Sequence, residues 1–167
     1  MQTLLRGTLA AALAFSATAT LAQAYPDKPV TLVVPFAAGS GTDSVARAVA
    51  SGLAARLKQP VIVDNKPGAS AQVAAQYVAK AKPDGYTLFM TTNTSHSANP
   101  ALYKSLKYDP IKDFTPVARV GELPFALAVH PAVPAKTLAE LLDYARANPG
   151  KLSYATPNST SLVAMES

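Results

Sequence analysis

The sequence predicts an α/β fold built on a mainly parallel sheet. Three observations carry this. Short β-branched runs alternate with segments whose apolar residues recur at helical spacing, in the order β-α-β-α-β. Of the 167 residues 49% are apolar and only 15% charged, which excludes an intrinsically disordered chain. Fourteen prolines spread along the chain exclude one long coiled coil.

The first segment reads as an address. Residues Met1 to Ala24 carry one positive charge, Arg6, then an apolar stretch from Leu9 to Leu21, then Leu21-Ala22-Gln23-Ala24, an A-x-A cleavage site. Ser16, Thr18 and Thr20 interrupt the apolar stretch, which is short for a bilayer span. Cleavage after Ala24 is expected to release an exported protein into the periplasm. Tyr25, not cysteine, follows the cut, so no lipid anchor is expected there.

Val30-Thr31-Leu32-Val33-Val34, bounded by Pro29 and Pro35, reads as a buried strand. Beyond the loop Phe36 to Gly41 a helix starts near Thr42. Val45, Val49, Leu53 and Leu57 line one face, with Ala46, Ala50 and Ala54 beside them. Lys58-Gln59-Pro60 ends it. Val61-Ile62-Val63 is a second strand and Asn65-Lys66-Pro67-Gly68 a turn. A second helix is expected from about Ser70 to Ala81, with Lys80 and Lys82 at its cation-favouring end. Pro83-Asp84-Gly85 is a turn before a third strand, Tyr86 to Met90.

Thr91 to Asn99 is a polar loop, and Asn99 to Tyr103 and Tyr108 to Ile111 read as turns or short helical pieces. Val117 to Val120 and Phe125 to His130 are apolar runs. Thr137-Leu138-Ala139-Glu140 is a capping box opening a helix with Leu138, Leu141, Leu142 and Ala145 on its apolar face. Leu152 to Ala155 is expected to be one more strand. Thr156 to Ser161 is another hydroxyl-rich loop, and Leu162-Val163-Ala164-Met165 looks like the opening of a helix. A chain stopping there reads as truncated. The expected organisation is a leader (1–24), most of a first α/β domain (25–121), and an incomplete second domain (122–167) that supplies a strand, a helix and another strand.

The net charge of +5 comes from scattered side chains, a solvated basic surface rather than a nucleic-acid footprint. The absence of cysteine removes disulfides, thiolate metal sites and cysteine nucleophiles. His96 and His130 lack close carboxylates and make a poor metal site. His130 reads as structural, while His96, inside the second polar loop, is a candidate ligand contact. No G-x-S-x-G elbow and no P-loop occur, and Ser44 stands where a dinucleotide fingerprint would need glycine. No catalytic residue, cofactor or metal is expected.

Three loops stand out: Ala38 to Asp43, Thr91 to Ser97 and Thr156 to Ser161. Each is expected to follow a strand and to emerge at the carboxyl edge of the sheet, where ligands bind in open α/β folds. The first leads into a helix N-terminus, whose free N–H groups suit an anion. Asp43 partly cancels that dipole. It is either a cap and charge partner or a partner for the ammonium of an amino-acid ligand.

Val33-Val34-Pro35-Phe36-Ala37-Ala38-Gly39-Ser40-Gly41-Thr42-Asp43 closely resembles the opening of the Bug proteins, periplasmic solute receptors of tripartite tricarboxylate transporters. Val63-Asp64-Asn65-Lys66-Pro67-Gly68-Ala69, Ala81 to Leu88, Asn99 to Tyr103, Tyr108 to Phe114 and Asn148 to Leu152 are similar to further strings of that family, in its order. The resemblance implies a type II periplasmic-binding-protein fold, two α/β domains with a mainly parallel sheet each, here truncated in the second. It implies a small carboxylate or amino-acid ligand, the membrane components of a tripartite transporter as partners, and a monomer. Carried over by position, the first loop offers Ala38, Gly39, Ser40 and Gly41, with Thr42 and Asp43 beside them. Their main-chain N–H groups and ordered water would hold a carboxylate. The second offers Thr92, Asn93, Thr94 and Ser95, and the third Thr156, Asn158, Ser159, Thr160 and Ser161. Ala38 and Ser40 stand where the family commonly has proline and glycine, Pro157-Asn158 replaces a glycine-richer string, and the family is longer. A periplasmic α/β enzyme, a ligand sensor and a nucleotide-binding domain are the competing readings. The missing nucleophile–base pair speaks against the first and the leader against the last.

Overall fold

β1 (Val30–Val34) is the centre of the sheet, because its side chains find cover on both faces. In the computed structural model, which describes residues 25–166, Val30, Leu32, Val33 and Val34 are all buried. The expected leader and its cut lie outside the described residues. β1 pairs in parallel with β2 (Val61–Asn65), Val30 opposite Val61 and Val34 opposite Asn65. On its other side it pairs in parallel with β3 (Thr87–Phe89), Thr31 opposite Thr87 and Val33 opposite Phe89. The order is β2-β1-β3.

α1 (Gly41–Leu57) begins where Ser40 accepts the Asp43 N–H at 3.2 Å, and ends at Lys58 in a left-handed conformation. Ala46 and Ala50 are its contact residues. They pack with Leu32, Val34 and Met90, while Val49, Val61, Val63 and Leu88 close the cluster. Small residues on the helix let it approach the pleated surface closely. α2 (Gln72–Ala79) packs on β1 and β3 with Ala74 and Ala75 buried. The helix expected from Ser70 starts later because Ala69, Ser70 and Ala71 have φ of 45°, 50° and 69°. A right-handed helix cannot pass through those angles.

The crossover from β1 to β2 runs one way along the sheet, and the next, from β2 to β3, returns past β1. Right-handed crossovers of opposite direction set their helices on opposite faces. The reversal makes β1/β3 the switch point of the sheet, where a crevice opens at the carboxyl edge. Before β1, Tyr25 donates to the Gly85 carbonyl at 2.7 Å, and Tyr86 donates to Asp27 at 2.5 Å. These bonds tie the entering chain to the turn before β3.

The polar stretch after β3 is a correction to the sequence reading, which treated it as a loop. Thr94–Ala98 is a wide π-helical turn that runs directly into α3 (Asn99–Leu102). Tyr108, buried, props this turn from below by donating to the Ser95 carbonyl at 2.7 Å. The Tyr108-to-Ile111 turn is held by Asp109, which accepts the N–H groups of Ile111 and Lys112 at 2.9 and 3.0 Å.

The strands expected after Gly121 do not form: residues 115–130 and 152–156 are irregular. A strand is stable only when a neighbour takes its N–H and C=O groups, and the apolar runs have none beside them among the described residues. α4 (Leu138–Ala147) is the capping-box helix, with Thr137 accepting the Glu140 N–H at 3.2 Å and Glu140 reaching back to the Lys136 N–H at 2.6 Å. Its apolar face is uncovered, with Leu138 62% and Leu142 46% exposed. α5 (Ser159–Glu166) ends the described chain.

Candidate functional site

The loop after β1 owes its shape to Asp43. Phe36 to Ser40 must turn the chain from a strand into a helix within five residues, and Gly39 takes φ +84° to do so. The Gly39 N–H donates to Asp43 Oδ2 at 2.8 Å. Arg47 Nε donates to the same oxygen at 3.0 Å, and Asn65 Nδ2 to Oδ1 at 2.9 Å. Asn65 also donates to the Phe36 carbonyl at 3.0 Å and accepts from Arg47 Nη2 at 3.2 Å. Asp43 is 2% exposed. The bond from Arg47, then those from Gly39 and Asn65, hold its carboxyl down at about 2. Of the two roles open to Asp43 in the sequence, cap and charge partner is the one its contacts express. Ala38, Gly39 and Gly41 are exposed, Ser40 is half-buried and Thr42 is buried. The Ser40 hydroxyl and carbonyl take the N–H groups of Asp43 and Ser44. The N–H groups of Gly41 and Thr42 are first-turn donors with no acceptor inside the helix.

The second loop emerges from β3, across the switch point. Thr92 is half-buried and Asn93 exposed, while Thr94 and Ser95 are buried. Thr91 Oγ1, Ser95 Oγ and His96 Nδ1 form a triangle with sides of 2.5, 3.0 and 3.1 Å. The His96 ring packs edge-on against Phe114, centroids 4.9 Å apart. Burial pushes its pKa below the usual 6.5, favouring the neutral ring. Ser95 is within hydrogen-bond distance of a histidine and is 0% exposed, its hydroxyl bonded within the turn. Among the described residues no group of three or more histidine and acidic side chains could hold a metal ion.

The third loop reaches this edge by a different route from the one its sequence suggests. No strand of the sheet precedes it. Asn158 caps α5, its Oδ1 accepting the Ser161 N–H at 3.1 Å, and Ser161 Oγ donates to the Asn158 carbonyl at 2.9 Å. The helix start then docks on the second loop. Thr160 donates to Asn93 Oδ1 at 3.1 Å, and Thr94 donates to Thr160 Oγ1 at 3.1 Å. Ser159 is buried there, and Thr156 lies half-buried on the approach. The second and third loops are thus joined by a hydroxyl relay, and the first is tied to the end of β2.

Asn65 and Arg47 join the site although the sequence does not single them out. Asn65 stood in a string read as a turn, whereas it is the last residue of β2 and points its amide into the first loop. Arg47 follows Asp43 by four residues, the spacing of a helical ion pair, and that signal was available. Asn99, also unassigned, is buried and donates to the Ser70 carbonyl at 2.8 Å, holding the left-handed stretch before α2.

Residues 45–167 match the family model described as "Tripartite tricarboxylate transporter family receptor". The chain is 43% identical over 151 residues to a UPF0065 protein of Bordetella pertussis, covering 90% of this chain and 46% of that protein. Two solved structures are similar in fold and sequence. Rpa4515 of R. palustris with adipate has a TM-score of 0.76 at 40% identity, over 80% of this chain and 45% of that one. MatC of Rhodopseudomonas palustris with bound malate has a TM-score of 0.69 at 43% identity, over 74% and 42%. The chain therefore spans less than half the length of the proteins it matches here.

Proposed function

Since the chain belongs to the tripartite tricarboxylate transporter receptor family, the Bug-type solute receptors, we propose that it captures a small carboxylate outside the cytoplasm and presents it to the membrane components of such a transporter. The relatives include periplasmic binding proteins, and this chain is proposed to work in the periplasm after removal of residues 1–24. It acts as a receptor, without catalysis, and as a monomer. The division into a first domain over 25–121 and a second beginning at 122 is part of the same reading.

One observation carries it. The N–H groups of Gly41 and Thr42 open α1 at the switch point of a parallel sheet, the place where a carboxylate gains both hydrogen bonds and the positive end of the helix dipole. None of the three loops contains lysine or arginine, so backbone N–H groups, hydroxyls and water must do the holding. Charge-assisted hydrogen bonds contribute roughly 1.5–3 kcal/mol each, and two or three sustain useful affinity after the costs of association. The neighbours' bound adipate and malate are ligands of this chemistry. Ala38, Gly39, Ser40 and Asp43 shape the first wall, Thr92, Asn93, Thr94 and Ser95 the second, and Thr156, Asn158, Ser159, Thr160 and Ser161 the third.

Calorimetric titration of the receptor with a panel of mono-, di- and tricarboxylates tests this. A Cβ at Gly41 would make ordinary contact with Leu123, its Cδ1 at 3.7 Å, so the branch point of Gly41→Val has room while the side chain crowds the ligand. Its affinity should fall at least tenfold with little change in melting temperature. Equal affinity in parent and variant would remove the first loop from the site.

A further inference from the structure

Asp43 sits beneath the proposed carboxylate site, and an unbalanced carboxylate there would repel the ligand. The contacts around it answer that difficulty. Both oxygens of Asp43 are occupied: Oδ2 by the Gly39 N–H at 2.8 Å and Arg47 Nε at 3.0 Å, Oδ1 by Asn65 Nδ2 at 2.9 Å. Arg47 and Asn65 are themselves bonded at 3.2 Å, and Asn65 spans to the Phe36 carbonyl at 3.0 Å. The ring therefore joins helix, strand end and loop, so that none of the three can shift alone.

We infer that Arg47 and Asn65 are positioning residues for ligand capture: through Asp43 they engage the Gly39 N–H, leave the first-turn N–H groups of Gly41 and Thr42, which have no acceptor inside the helix, to a carboxylate, and keep Asp43 from serving a ligand's ammonium. Arg47 supplies the charge that offsets Asp43, which a neutral donor would not. Asn65 supplies the fork: a donor to Asp43 and Phe36 and an acceptor from Arg47, which neither aspartate nor alanine reproduces. The inference rests on the proposed receptor function and adds a selectivity. A dicarboxylate should bind in preference to its α-amino counterpart as far as this loop is concerned.

The experiment pairs calorimetry with amide NMR on the isotope-labelled protein. Succinate and aspartate, a pair differing by one amino group, serve as probes beside the carboxylate panel. Asn65→Ala and Arg47→Ala should each weaken carboxylate binding at least tenfold. Arg47→Lys should recover part of the loss by restoring the cation, and Arg56→Ala, an exposed arginine of the same helix, should bind like the parent. In the parent the Gly39 amide resonance should shift as pH falls towards 2 and Asp43 takes up its proton, and in Asn65→Ala that response should shrink or vanish. A merely structural role would lower the melting temperature without the Lys recovery and without changing the Gly39 response. Affinities within twofold of the parent in both alanine variants, or an unchanged Gly39 titration, would overturn the inference. So would aspartate binding that exceeds succinate binding and is lost in Asp43→Asn. If the parent binds no carboxylate, the receptor proposal fails, and the Gly39 titration alone decides whether the ring orders the loop.

Discussion

Thr160 donates its hydroxyl to Asn93 across 67 residues of chain, at 3.1 Å. The same oxygen accepts from Thr94 at 3.1 Å, so two hydrogen bonds converge on one side chain. They tie α5 to the turn after β3. Thr160→Val keeps the shape and deletes both bonds. The amides of α5 should then exchange with solvent at least several-fold faster, while those of β1 keep their protection. Unchanged exchange in α5 would show that the helix is held by something else.

Tyr108 supports that turn from the other side. Its hydroxyl donates to the Ser95 carbonyl at 2.7 Å and accepts from Asn99 Nδ2 at 3.3 Å. Tyr108→Phe leaves a buried carbonyl and a buried amide short of partners, a loss of about 1–3 kcal/mol. Denaturant unfolding should show the midpoint falling with the slope unchanged. A midpoint equal to that of the parent would mean that water replaces the hydroxyl.

Asp43 and His96 act on the acid limb of stability in separate windows, and Asp109, lowered by the N–H groups of Lys112 and Ile111, shares the lower one. Asp43 has its carboxyl lowered from 3.8 to about 2, so the folded state favours the charged form. Its contribution is present above about pH 4 and is lost as pH falls towards 2. His96 is pushed below 6.5 by burial, so the folded state favours the neutral ring. Its contribution is present above pH 6.5 and is lost as pH falls below that. Melting temperature should therefore decline in both windows. Asp43→Asn should flatten part of the lower decline, Asp109 keeping the rest, and His96→Gln only the upper. A slope left unchanged by the matching substitution would assign it to another group.

Two glycines should respond in opposite directions. Gly85 has φ +82°, and a Cβ there would lie 2.8 Å from the Tyr25 hydroxyl. Gly85→Ala should cost about 1–2 kcal/mol from the left-handed backbone alone. Gly52 lies inside α1 with nothing within 4 Å of its would-be Cβ. Gly52→Ala should stabilise by about 0.5–1 kcal/mol. Thermal unfolding of both variants checks the pair, and a stabilising Gly85→Ala would refute the turn geometry.

The amino-acid sequence by itself determined the parts whose causes lie within a few residues. Ser40 and Thr137 cap the helices they precede and Gly85 makes its turn, because each depends on neighbours along the chain. The family strings named the relatives for the same reason, as they record local loop chemistry. Tertiary structure decided what depends on distant partners. The strand order β2-β1-β3 sets the loops after β1 and β3 at the switch point, and nothing in either loop encodes that order. Asn65 becomes a loop anchor only because β2 pairs beside β1. Leu152 to Ala155 has strand composition yet forms no strand, because a strand exists only when a neighbour accepts its hydrogen bonds. Thr160 reaches the sheet edge by docking on Asn93 rather than by following a strand, a contact that loop composition cannot specify.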